Sequence, residues 1–439
     1  MTTIHQPPMS APDTKDLNTT DPSATALPVE RIRQDFPTIT EDEIYLDSVA
    51  SSLTPIPVVE AMNEYYFKYR ANVHRGNYDA SLRASEQYEA ALKNVASFIN
   101  ASHEEIVFTM NTTMSLNMVA LSLNLRPGDE VVLSTLEHTS NMGPWYRLAE
   151  MYGVVIRWYN PGDTGVFDLA EFQSVLTEKT KVVALTWVSN VLGTVVPVHE
   201  VAKICRDRGI IYVVDAAQAV PHVPVDVREV GCDFLAFSGH KMLGPTGVGV
   251  LYIRRDHAEN LIPALLGGGT VDTTAECSCR TLDSCSIDNS TFSPLPDKWQ
   301  AGTPPIAEAI GLAAAMDYLR SVGMDAIEAH DRMLVSTALD GLNSIKGVKV
   351  FGSKRIEDTS SIISFNIADV PPDEVGRLLN ERYKVAVRAG NHCALSYFKG
   401  ISLSEGVKGN VRAGFYVYNT LDEAHRFVAA VDEIATTLL

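Results

Sequence analysis

From Asp233 to Gly249 the chain reads DFLAFSGHKMLGPTGVG. Phe234-Leu235-Ala236-Phe237 is a short apolar run of the kind that fills a strand buried on both faces. The run stops at Ser238-Gly239, and Lys241 follows beside His240. Gly244, Pro245, Gly247 and Gly249 are too many breakers for a helix, and Val248 to Ile253 is the next apolar run. Lys241 therefore falls just past the carboxyl end of a buried strand, where open α/β sheets bind ligands. A lysine held there away from bulk water loses part of its preference for the charged form. Such an amine suits a Schiff base with an aldehyde cofactor. The plain alternative is a surface lysine in a glycine-rich turn.

A second buried-strand pattern, Ile210 to Val214, ends in Asp215-Ala216-Ala217-Gln218. Pyridoxal phosphate needs a protonated pyridine nitrogen to act as an electron sink, and a carboxylate beside that nitrogen keeps it so. Asp215 matches that need; a helix N-cap is the other common use of such an aspartate. Upstream, the strand Ile106-Val107-Phe108-Thr109 runs into Asn111-Thr112-Thr113 and a helix from Met114 to Leu123. Hydroxyls and free N–H groups opening a helix after a strand form an anion site, so Thr112 and Thr113 read as a phosphate cradle. His138 follows the strand Val131–Ser134, where a histidine can lie on a pyridine ring and relay protons, although a lone one is more often merely hydrogen-bonded there. Strands alternating with helices from Ile106 to Ile253 predict a mostly parallel sheet with right-handed crossovers. Val182–Val188 is one of these strands, and Pro197–Arg208 a crossover helix.

The chain has 439 residues, 46% hydrophobic and 21% charged, enough for a large core in two lobes. A net charge of −18 argues against nucleic acid or an anionic membrane as partner. Residues 1–28 lack any apolar run and read as a disordered tail, without a secretory or transit signal. No segment reaches the apolar length of a membrane span, so a cytoplasmic protein is expected. Helices are predicted at Pro57–Tyr69, Tyr88–Ile99 and Ile306–Leu319, and strands at Val348–Phe351, Ile362–Asn366 and Val385–Arg388. The stretch 271–298 is polar and aperiodic, and reads as a long loop. Its Cys277, Cys279 and Cys285 do not have the spacing of a metal site. Cys205 and Cys232 look like core or helix residues, and structural disulfides are not expected. Cys393 instead follows Gly390-Asn391-His392, outside any periodic apolar run, with Arg388 and His392 near enough in sequence to stabilise a thiolate. Arg412 offers a planar fork that matches a carboxylate, though by itself it reads as a surface arginine.

Taken together, VVDAAQAVPHVPVDV and FLAFSGHKMLGPTGVGVLY resemble the class V aminotransferase group of fold-type-I enzymes. More narrowly, the chain resembles the group II (SufS-like) cysteine desulfurases, which also act as selenocysteine lyases. The likeness runs from about Val29 to the C-terminus, apart from the 271–298 loop. NVHRG at 72–76, SNVLGT at 189–194 and the R-x-G-x-H-C-A run from Arg388 match as they stand. Four positions depart: Asn111 and Met114 replace a glycine and a glutamate, Thr139 a second histidine, and Pro305 an asparagine.

The resemblance implies a seven-stranded, mostly parallel sheet and a smaller C-terminal α/β domain. It divides the chain into a segment 29–45 joining the small domain, a large cofactor-binding domain 46–305, and a small domain 306–439 carrying the nucleophile. It implies pyridoxal phosphate on Lys241, with Asp215, Gln218, His138, Thr112, Thr113, Asn190, Ser238 and His240 around it. Arg412, Asn190, Arg388, His74 and Arg75 would lie on the substrate side. Thr303, in an AGTP segment, would reach the cofactor phosphate of a neighbouring subunit in a homodimer. The implied reaction turns L-cysteine into L-alanine with a persulfide on Cys393, whose sulfur passes to an acceptor or scaffold protein for iron–sulfur or other sulfur cofactors. A selenocysteine lyase would share all these residues, and an epimerase or aminotransferase of the same fold would not need Cys393.

Overall fold

The computed structural model describes residues 27–74, 76–162, 164–271 and 292–438. Most of the predicted 1–28 tail, Arg75 and the cysteines Cys277, Cys279 and Cys285 lie outside those residues. Leu27, assigned to the tail on composition, is buried against the main core.

Seven strands form the central sheet. Their order is Ile106–Thr109, Gly249–Ile253, Phe234–Ser238, Ile211–Asp215, Thr180–Thr186, Glu130–Ser134, Val155–Tyr159. Gly249–Ile253 runs antiparallel to both neighbours, and the other contacts are parallel. Both faces are covered, because successive side chains of a strand point to opposite sides. Leu235, Phe237, Val214 and Val250 bury into one core, while Phe234, Ala236, Val213 and Leu251 bury into the other.

A second, antiparallel sheet orders Arg388–Gly390, Asn410–Gly414, Ile362–Ile367, Val348–Phe351. The helices Met324–Ser344 and Leu421–Leu438 pack on it through Leu334, Leu339, Phe427 and Val431, closing a separate core over Phe365 and Val411. The N-terminal chain reaches this part as well. Ile44–Tyr45 pairs in parallel with Val385–Ala386, and Arg33 Nη1 donates to Glu423 Oε1 at 2.8 Å.

Away from the cavity, two differences from the sequence expectation bear on the fold. Val385–Arg388 is not one strand: Val385–Ala386 pairs with Ile44–Tyr45, whereas Arg388–Gly390 pairs with Asn410–Gly414. A change of pairing partner at Val387 leaves no mark on an apolar pattern. The helix expected from Tyr88 starts at Asp79. Its first buried positions are Ser81 and Ala84, too small or polar to register as an apolar stripe. No helix among the described residues is long and apolar enough to cross a membrane.

Candidate active site

The parallel strands deliver their last residues to one edge. Thr186 lies in register with Asp215, and Asp215 with Ala236, two residues before Ser238. Past this edge lies a cavity of about 510 Å³. Lys241, Asp215, Gln218, His138, Thr112, Thr113, Ser238, His240 and Asn190 all line it, as do Arg388, Cys393 and Arg412 from the C-terminal part. His74 and Thr303 do not reach it. They line a separate cleft of about 320 Å³ beside Tyr88 and Gln300.

Lys241 ends a short 3-10 turn, Gly239–Lys241. That turn is tied to the N-terminal chain: the His240 carbonyl accepts Ser52 N–H at 2.9 Å, and the Ser52 hydroxyl accepts Leu243 N–H at 2.8 Å. Lys241 opens partly onto the cavity. Burial pulls its amine down to about 8; the Asp215 carboxylate opposes the fall and the Arg412 charge adds to it. Burial pushes the Asp215 carboxyl up, against the pull of Lys241 and of the Ala217 N–H, 3.0 Å from its Oδ1. Gln218 donates to the Val49 carbonyl at 2.8 Å, holding another stretch of cavity wall.

The helix expected from Met114 begins at Thr112, so both threonines belong to its first turn. Asn111 caps it, accepting Met114 N–H at 3.0 Å. Gly249 allows the turn to sit so deep, since a Cβ there would lie 2.6 Å from Asn111 Cα. Ser238 Oγ accepts Thr112 N–H at 2.8 Å and lies 2.6 Å from the Thr112 hydroxyl, and the Thr113 hydroxyl pairs with Ser140 at 2.7 Å. These contacts gather four hydroxyls at one helix N-terminus.

His138 caps the next helix, Thr139–Tyr152. Its Nδ1 accepts Ser140 N–H at 3.1 Å, which leaves the proton on Nε2. Burial first, then Lys241 and Arg412, push it down to about 4. At neutral pH the ring is therefore uncharged, below the range from which the sequence reading argued a proton relay. Beneath it Glu137 is fully buried and pushed up to about 8. Its Oε2 accepts Asn141 Nδ2 and Thr186 N–H at 2.7 Å each, and its Oε1 lies 2.5 Å from the Ser134 hydroxyl. One carboxyl group thus joins two strand ends to the helix that begins beside His138.

Cys393 is exposed on a loop where His392 and Cys393 both take positive φ, 50° and 57°. Non-glycine residues hold such a conformation only when their surroundings enforce it. Here they do. Asn190 Nδ2 donates to His392 O at 2.7 Å, and Asn391 Oδ1 accepts Cys393 N–H at 3.1 Å. Thr139 donates twice to Cys393 O, from its N–H at 2.8 Å and its hydroxyl at 2.7 Å. Gly193 contributes from behind: at φ 71°, a Cβ there would lie 2.7 Å from Ile362 O, so glycine lets the Asn190 loop seat on the small sheet. Burial drives His392 down to about 3, so it is neutral and brings no charge to the thiol, contrary to the sequence expectation. The cations whose fields involve Cys393 are Lys241, Arg388 and Arg412. Arg412 is buried, with Nη1 on Asn190 O at 2.8 Å and Nε without a protein partner.

A profile of the class-V aminotransferases matches residues 44–427. The chain belongs to the class-V aminotransferase family. Within it, a probable cysteine desulfurase of Pyrococcus abyssi is 42% identical over 93% of this chain and 98% of its own length. Another from Streptomyces coelicolor is 40% identical over 93% and 97%. Among solved structures, an apo cysteine desulfurase from Thermococcus onnurineus superposes with a TM-score of 0.86 at 42% identity, covering 94% of this chain and 98% of that one. The cysteine desulfurase CsdA of Escherichia coli superposes with a TM-score of 0.82 at 35% identity, covering 94% and 99%.

Class-V aminotransferases depend on pyridoxal phosphate, and the cavity residues fit that group. An amine whose charge burial disfavours and a buried carboxyl group share the cavity, a hydroxyl-rich helix N-terminus faces it, and a buried guanidinium N–H and the Asn190 Oδ1 lack protein partners. Asp47, which the sequence reading passed over as a site residue, contacts two arginines of the cavity without lining it. It accepts Arg388 Nη2 at 2.9 Å and lies 3.7 Å from Arg412 Nη2. Its only signal in the sequence is an acid directly after the short strand Ile44–Tyr45 and Leu46.

Proposed function

We propose that this protein is a pyridoxal phosphate-dependent cysteine desulfurase that moves sulfur from L-cysteine to Cys393 and leaves L-alanine. One observation carries the reading: the Lys241 amine, the Asp215 carboxylate and the Cys393 thiol, the last more than 100 residues from the other two in sequence, line a single cavity of about 510 Å³. The near relatives named as cysteine desulfurases support it.

In this reading, Lys241 would hold the cofactor covalently, and Asp215 its ring nitrogen. His138 would cover the ring, with Gln218, Asn190 and His240 at its edge and Thr112, Thr113 and Ser238 at its phosphate. When bound, the cofactor supplies an electron sink that weakens the bonds at the substrate's Cα and Cβ. Arg412 takes the α-carboxylate, and its unpartnered Nε supports that role. Lys241, with an amine near 8, can take up a proton from carbon and return it close to neutral pH. The Cys393 thiolate attacks the substrate sulfur. A sulfur–sulfur bond forms, the Cβ–sulfur bond breaks, and its electron pair with a proton completes the methyl group of alanine. The sulfur is oxidised to the sulfane level as Cβ is reduced, so no outside oxidant is needed.

The division of labour we propose places cofactor binding in residues 46–305 and delivery of Cys393 in residues 306–439. We also assign a homodimer in the cytoplasm, with Thr303 reaching the partner's cavity and a sulfur-acceptor protein outside it. The exposed position of Thr303, away from its own chain's cavity, supports that arrangement. Purified holoprotein given L-cysteine should release alanine, and sulfide when a reductant is added. An absorbance band of the lysine-bound cofactor should be lost in Lys241→Ala. Absence of alanine from cofactor-loaded wild type would reject the proposal.

A further inference from the structure

The first turn of the helix Thr139–Tyr152 is weak by its own sequence. Pro144 has no N–H to give the Ser140 carbonyl, and Gly143 before it is a poor helix former. Yet that turn grips both sides of the Cys393 loop. Thr139 donates to Cys393 O from its N–H at 2.8 Å and its hydroxyl at 2.7 Å. Met142 Sδ accepts the Ser396 hydroxyl at 3.0 Å, just past Cys393. The Ser140 hydroxyl, between them, meets Thr113 of the anion cradle at 2.7 Å.

Glu137 supplies what the helix backbone lacks. It is fully buried and not part of the cavity wall. Its Oε2 accepts Asn141 Nδ2 and Thr186 N–H at 2.7 Å each, and its Oε1 lies 2.5 Å from the Ser134 hydroxyl. Ser134 and Thr186 end two neighbouring strands of the central sheet, so the sheet is the rigid side of this junction and the helix turn the held side. Burial pushes the Glu137 carboxyl up to about 8, so near pH 7 it is neutral and a glutamine can replace it. The glutamine oxygen would accept Asn141 and Thr186, and its amide N–H would donate to Ser134 Oγ.

We propose that Glu137 is a positioning residue for the nucleophile: by tying Asn141 to two strand ends it fixes the turn from which Thr139 holds the Cys393 loop, and so sets where the thiol stands on the cavity wall. Glu137 touches neither substrate nor cofactor, and acts through Asn141 and Thr139. The proposal rests on the reading above in one respect, that Cys393 is the nucleophile.

Hydrogen exchange of the cofactor-loaded holoprotein, read by mass spectrometry, tests it. Asn141→Ala cuts the tie while Glu137 keeps both strand ends, and so serves where Glu137→Ala does not fold. Amides in residues 388–394 should exchange roughly tenfold faster in Asn141→Ala, while strands Glu130–Ser134 and Thr180–Thr186 keep wild-type rates. Glu137→Gln should match wild type throughout. Thr139→Val should give the same gain at 388–394, and adding Asn141→Ala to it should give no more. In Asn141→Ala, alanine formation from L-cysteine should fall about fivefold in kcat with KM unchanged, the effect of one hydrogen bond. Wild-type exchange at 388–394 in Asn141→Ala, an equal gain across helix and sheet, or additive gains in the double variant would overturn the proposal. Absence of alanine from wild type would reject desulfuration, while the exchange rates still judge the hold of Glu137 on the loop.

Discussion

Replacing Lys241 by methionine should make the cofactor-free protein more stable at neutral pH. Burial lowers this amine from 10.5 to about 8, so at pH 7 the folded chain holds a charged ammonium in an unfavourable place. The gap between those values corresponds to at most about 3 kcal/mol, and solvent in the cavity screens part of it. The sign follows from proton uptake. Between pH about 8 and 10.5 the unfolded lysine binds a proton that the folded one has released, so stability rises with pH through that window. Below pH about 8 the penalty is fully present. Urea denaturation of cofactor-free wild type and Lys241→Met from pH 7 to 10.5 should show the variant ahead at pH 7 and the difference closing toward pH 10.5. A variant less stable than wild type at pH 7, or a difference independent of pH, would refute the claim that Lys241 is held in an environment hostile to its charge.

Glu137, pushed up to about 8 by burial, makes the opposite contribution: wild-type stability should decline as pH rises from 4.5 toward 8, and Glu137→Gln should flatten that decline in the same urea series. Glu137→Ala, by stranding the Asn141 amide and the Thr186 N–H, should cost on the order of 2–5 kcal/mol at any pH. Thr139→Val removes one of two donors to the Cys393 carbonyl, a bond of net value about 1 kcal/mol. Alanine formation from L-cysteine should fall about fivefold in kcat with KM unchanged, and Thr139→Ser should restore it.

The sheet was legible because its strands are buried on both faces and end in breakers. The run before Ser238 and the run before Asp215 each stop where the cavity begins. Site residues carried on those strand ends, Asp215, Ser238 and Lys241, could be read as placed, because a strand end fixes direction as well as position. The resemblance then brought in Cys393 and Arg412, which no spacing rule ties to Lys241. What escaped notice was pairwise. Asp47 gains its meaning from two arginines more than 300 residues away, and Glu137 from two strand ends and a helix. Thr139 looked like a lost histidine, yet in the folded chain it grips the Cys393 carbonyl. The neutrality of His138 and His392 was equally hidden, since burial and the nearby cations set it, not their neighbours in sequence.

The central claim is that the Cys393 sulfur takes the substrate's sulfur inside the Lys241 cavity. Holoprotein given L-cysteine without reductant, then alkylated, digested and weighed by mass spectrometry, tests it directly. The peptide containing Cys393 should gain one sulfur atom, with about one alanine formed per chain in the first turnover, and Cys393→Ala should form neither. Alanine at the wild-type rate from Cys393→Ala, or the added sulfur on a different cysteine, would contradict the account.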